Sequence, residues 1–119
     1  MRRSEHNKRE KYGARAKALL EAFYWQPEEK ALLEIMADEF FTMPNARELR
    51  WNAVREGVDC IILKEREIEF SPDIYSLFVR GLKDGLDFEG EKIESPEEKL
   101  FSHETGKNVL KQLDSYKIG

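Results

Sequence analysis

The chain has 119 residues, 40% hydrophobic and 37% charged, which suits one domain with its own core and densely charged exposed faces. One cysteine excludes an internal disulfide, and no stretch nears the roughly 18 apolar residues of a membrane span. The basic N-terminus has no apolar core behind it, so it does not read as a secretory signal, and the expectation is a soluble cytoplasmic protein.

The net charge of −4 is unevenly spread. Residues 1–17 hold seven bases, Arg2, Arg3, Lys8, Arg9, Lys11, Arg15 and Lys17, against Glu5 and Glu10. The remaining residues carry a net −9. A basic arm on an acidic body points to a nucleic acid or an acidic partner for the arm. The plainer reading is an arm, flexible over residues 1–10, that is solvated or lies back on the body.

Taken in order, residues 4–24 read as a helix with Tyr12, Ala16, Leu19, Leu20 and Phe23 on one stripe. Pro27 begins a second, with Glu28 and Glu29 in its first turn. Leu32, Leu33, Met36 and Phe40 share a face there, with Ile35 and Phe41 beside it, so two neighbours should cover it. Asn45-Ala46-Arg47-Glu48 matches a capping box for a third helix running to Glu56. In that helix Trp51 falls between Arg47 and Arg55, which gives either a contact surface or a core tryptophan packed on two sides.

The densest apolar run, Val58-Asp59-Cys60-Ile61-Ile62-Leu63, reads as the central strand, with Cys60 as a small buried thiol. Ile68-Glu69-Phe70 would return as its hairpin partner. Lys64 to Glu67 contains neither Gly nor Asn, so a four-residue loop is expected over a two-residue turn. Ser71, Pro72 and Asp73 then open a well-marked helix, with Ile74, Leu77, Phe78 and Leu82 inward and Gly85 at its end. Gly81 on the inward stripe predicts close approach by a neighbour.

Gly57-Val58-Asp59 is echoed by Gly85-Leu86-Asp87, and Ile68-Glu69-Phe70-Ser71-Pro72 by Ile93-Glu94-Ser95-Pro96. This loose repeat supplies a second hairpin, followed by a short helix over 96–103 and a last one over 106–115, with Gly106 between them. The expected fold is α+β: three N-terminal helices, then two β-hairpin–helix units around a small, mostly antiparallel four-stranded sheet, in one domain spanning 1–119.

The sequence holds no phosphate-binding glycine loop and no dinucleotide fingerprint. His6 sits in the basic arm and His103 at a charged helix end, neither with partners at zinc-ligand spacing. Asp84, Asp87, Glu89, Glu91, Glu94, Glu97 and Glu98 form an acidic run whose ordinary reading is a solvated face. Asp87, Glu89 and Glu91 would line one side of an extended segment able to hold a divalent cation weakly, off the calcium-loop spacing.

No catalytic set, metal site or cofactor emerges. The favoured expectation is therefore a non-catalytic module whose acidic body docks a basic partner protein, using Arg47, Trp51, Asn52 and Arg55 together with residues 84–98 as its surface. The alternative is nucleic-acid binding. Three helices followed by a hairpin and a Ser-Pro-capped helix are similar in order to winged-helix regulators of the MarR type. That resemblance implies a reading helix over Asn45–Glu56 and a wing tip over Lys64–Glu67, and Arg2, Arg3, Lys8, Arg9, Lys11 and Arg15 would follow the backbone. An enzyme built on carboxylates is the remaining class, with no pair preferred.

Overall fold

The computed structural model describes the backbone of residues 3–38 and 40–116, and side chains from Tyr12 onward. The described chain mixes five helices with one three-stranded antiparallel sheet. Helices α1 (Arg3–Ala22) and α2 (Pro27–Ala37) form an antiparallel pair, and α5 (His103–Ser115) packs across both. Helix α3 (Met43–Arg47) is a single turn capped by Thr42, whose hydroxyl accepts from the Asn45 N–H. Strands β1 (Val54–Glu56), β2 (Ile61–Leu63) and β3 (Arg66–Ile68) make a meander in that order. Helix α4 (Pro72–Asp84) follows and packs against β1 and α2.

Helix α2 is the centre of the helical layer. Ala31, Leu32, Leu33, Ile35 and Met36 are all buried, which takes up its apolar girth on several sides. Phe40 lies beyond its end at Asp38 and is half exposed, while Phe41 turns inward instead. Phe23, expected on the buried stripe of α1, likewise falls past the helix end and is exposed. Helix α1 begins at Arg3, so its basic N-terminal residues from there are helical.

The expected third helix over 45–56 does not form. Glu48 is the C-cap of α3, not the N3 partner of a capping box. The backbone after it is claimed elsewhere. Trp51 N–H donates to the Glu98 carbonyl at 2.9 Å, Asn52 N–H to Pro96 at 2.8 Å, and Leu100 N–H to Leu49 at 2.9 Å. Arg50 and Lys99 pair as an isolated antiparallel bridge. One 3₁₀ turn over Trp51–Ala53 leads into β1, where β-branched Val54 suits an extended backbone.

The central strand is present but shorter than its apolar run. Val58 and Asp59 belong to the turn before it, with Val58 90% exposed and Asp59 at a left-handed φ of 59°. Ile61 and Leu63 face the core while Ile62 is half-buried, so β2 is closed off on one side rather than two. Its partner strand is Arg66–Ile68, a register that leaves only Lys64 and Glu65 in the turn. Both adopt left-handed φ values, 50° and 65°, as a two-residue primed turn requires.

The sheet has three strands, not four. The second hairpin is a loop held by one bridge, Leu86 with Lys92. Asp87 explains why no ladder follows: its Oδ1 accepts from the Glu89 and Glu91 N–H groups at 3.0 and 2.9 Å. An aspartate that folds the loop around itself takes donors a strand would use. Phe88 points from this loop into the core, stacked parallel on Phe101 at 5.9 Å.

Helix α4 matches the markers at its ends, but Leu82, expected inward, is 38% exposed, while Ile74 and Phe78 are buried. Gly85 at φ 72° ends it in the left-handed region. Ser71 stands at its N-cap, but its hydroxyl donates to Glu34 at 2.6 Å and its N–H to the same carboxylate at 2.8 Å. Residues 96–98 form a turn, not a helix. Ser102 caps α5 by accepting from the Thr105 N–H, which starts that helix three residues before Gly106. Ile118 lies outside the described residues, and Tyr116 rests edge-on against Phe23. No helix among the described residues is long and apolar enough to cross a membrane.

Candidate functional site

The four residues picked as a contact surface do not share a face. Trp51 is 5% exposed and packs edge-on to Phe78 and tilted against Phe88, so it is core and not an anchor for a partner. Asn52 and Arg55 are exposed beyond it. Arg47 turns the other way, towards α5. The side chains of Arg2, Arg3, His6, Lys8, Arg9 and Lys11 lie outside the described residues. Arg15 of the basic group donates to the Leu113 carbonyl at 2.7 Å, capping the C-terminal end of α5. The reading helix of the winged-helix order is the segment replaced by α3, the 3₁₀ turn and β1.

Between α3 and α5 runs an open groove of about 750 Å³. Met36, Met43 and Phe101 form its floor as core residues, only 1%, 4% and 2% exposed, while Leu110 is half-buried, and Tyr12 lies at one end. The sequence places these by simple means. Thr42 and Pro44 start α3 so that Met43 turns inward, and the helical spacing of α5 puts Leu110 beside the buried Val109 and Leu113. Phe101 is anchored from behind by its stack on Phe88.

The two ends of the groove differ in charge. At one, the Tyr12 hydroxyl donates to Asp114. Burial, then that hydrogen bond and the nearby carboxylate charge, push the Tyr12 hydroxyl up to about 12, so it stays protonated. At the other, Arg47 Nη2 lies 3.3 Å from His103 Nδ1, and Lys99 also lines the groove. Arg47 donates there when Nδ1 carries no proton. The guanidinium stem rests on Gly106, where a Cβ would stand 2.5 Å from Arg47 Nε.

A second, smaller recess of about 400 Å³ lies across the Lys99–His103 segment and is lined by Glu28, Asp87, Glu89 and Glu98. This is where part of the acidic run collects. Its carboxylates have local duties. Asp87 holds its loop, Glu98 accepts from the Glu94 N–H, and Glu28 accepts from the Ser102 N–H at 2.7 Å. Among the described residues, no three His, Cys, Asp or Glu side chains converge as a metal would require.

Sequence reasoning missed the groove because its walls come from segments some fifty residues apart. One clue was available. Gly106 interrupts the apolar spacing of α5, and an isolated glycine inside a helical pattern often marks close packing. No protein-family model matches the chain, and no curated protein or solved structure matches it at a significant level.

Proposed function

We propose that this protein is a non-catalytic interaction module that receives a segment of a partner protein in the α3–α5 groove. The observation that carries the reading is the groove itself: an open channel floored by the core residues Met36, Met43 and Phe101, with half-buried Leu110 and the polar side chains of Arg47, Glu48, Lys99, His103 and Asp114 in its lining. Apolar lining supplies affinity, and polar groups at fixed positions supply orientation. The grouping of polar side chains offers no placed nucleophile and base, so binding without chemistry is the simplest use of the site.

Site-specific photo-cross-linking tests this reading. Benzoylphenylalanine in place of Pro44, on the groove rim, should trap one dominant partner in the expressing cell. The same group in place of Val58, at the tip of the β1–β2 turn, should not. Leu110→Glu, which puts a charge at a half-buried position of the groove, should remove the Pro44 adduct. Equal labelling from both positions, or an adduct indifferent to Leu110→Glu, would rule the groove out.

A further inference from the structure

Resting on that reading, we propose that the Arg47 end of the groove recognises an acidic side chain of the bound segment, and that Gly106 is the positioning residue that makes this possible. Helix interiors disfavour glycine, yet Gly106 lies buried in the first turn of α5. The space that a methyl group would fill is occupied by Arg47, with Nε at 2.5 Å and Cδ and Cζ at 3.1 Å from the position of that missing Cβ. Glycine here serves to let a guanidinium lie flat on the helix.

Its electrostatic setting is unusual. Among the described residues neither Arg47 nor Lys99 forms an ion pair with a carboxylate. Arg47 meets an imidazole instead, at the end of α5 where the helix dipole is already positive. Glu28 accepts from the Ser102 N–H, and Asp114 holds Tyr12 at the other end of the groove. Glu48, next in sequence to Arg47, also lines the groove. Arg47 and the start of α5 meet in a groove that Lys99 and the half-buried Leu110 also line. The complementary occupant is a peptide stretch with apolar side chains and one aspartate or glutamate, its carboxylate taken by the guanidinium.

Selection of random peptides displayed on phage, against the full immobilised chain, tests this. Sequences enriched on the wild type should share an acid at a fixed distance from apolar residues. Synthetic copies should bind Arg47→Gln and Gly106→Ala about tenfold more weakly. Gly106→Ala should keep or raise the melting temperature, because Arg47 is a flexible side chain that can swing away while the helix gains alanine. Arg47→Gln leaves the backbone untouched and stands as the independent variant. Peptides that lose binding with Leu110→Glu, yet carry no shared acid or ignore both variants, overturn this inference and leave the groove reading standing. If no peptide is enriched, or Leu110→Glu has no effect on binding, the groove reading falls and this inference with it.

Discussion

Gly81 shows how closely single residues are fitted. A Cβ on it would stand 2.4 Å from Trp51 Cη2 and 2.5 Å from Cζ3, with the Leu86 carbonyl at 3.2 Å behind. Trp51 is wedged between Phe78 and Phe88 and has no easy escape. Gly81→Ala should therefore cost about 1–3 kcal/mol. Trp51→Phe shortens the ring and removes an indole N–H that has no acceptor among the described residues. The two changes should couple: the alanine should cost clearly less in the phenylalanine background. Urea unfolding of the four chains measures this, and simple additivity would reject the wedge.

At the other side of the core, Tyr12 gives a pH signature. Its folded pKa is raised to about 12 from the ordinary 10.0, so the folded state holds the proton more tightly. The associated stability is complete below the unfolded value and is lost as pH climbs through the folded one. Stability should fall between roughly pH 10 and 12, and Tyr12→Phe should flatten that fall. An unchanged slope in the variant would assign it to other groups.

Among elements, the β2–β3 turn and the start of α4 make opposite demands. Lys64 and Glu65 hold left-handed φ values that cost a side-chain-bearing residue about 1 kcal/mol. Replacing them by Asn-Gly should raise stability by about 1 kcal/mol and lift the melting temperature. At α4, Glu34 of α2 serves both the Ser71 N–H and hydroxyl from a half-buried position. Glu34→Ala should cost about 2 kcal/mol by leaving two donors without an acceptor. Lys30 and Asp73 join the same two helices at 2.9 Å, but on the surface, so Asp73→Asn should cost less than about 1 kcal/mol.

The same contrast explains what the sequence made legible. Helix α4 could be read nearly to the residue, because Pro72, Asp73 and Gly85 act on their own neighbours. Helix 45–56 could not, because its failure is decided by donors and acceptors at 96–100, far along the chain. The Lys64–Glu65 turn was hidden because strand pairing imposed a conformation that neither residue favours. Arg47 was grouped with Trp51, Asn52 and Arg55, but it turns towards α5 instead. His103 and Gly106 meet it only in three dimensions.

At the scale of the whole molecule, the last helix completes a core begun by the first two. Val109 and Leu113 are fully buried against α1 and α2, and Arg15 and Tyr12 secure the C-terminal end of α5. Leu113→Ala should cost about 2–5 kcal/mol, a large share of the 5–15 kcal/mol that holds a domain of this size. Amide exchange in α1 should accelerate along with α5, because the two are stabilised jointly. A loss confined to α5 would show that α1 stands without it.

The bridge between Arg50 and Lys99 has a kinetic corollary. It joins two stretches whose intervening chain includes the whole meander and α4, so forming it shuts a long ring of polypeptide. Ring closure of that size is entropically slow, whereas α1 with α2, and each hairpin, can assemble from near neighbours. The clasp should therefore be a late event in folding. Until it shuts, Phe101 has no fixed seat on Phe88, and the channel it helps to wall does not exist.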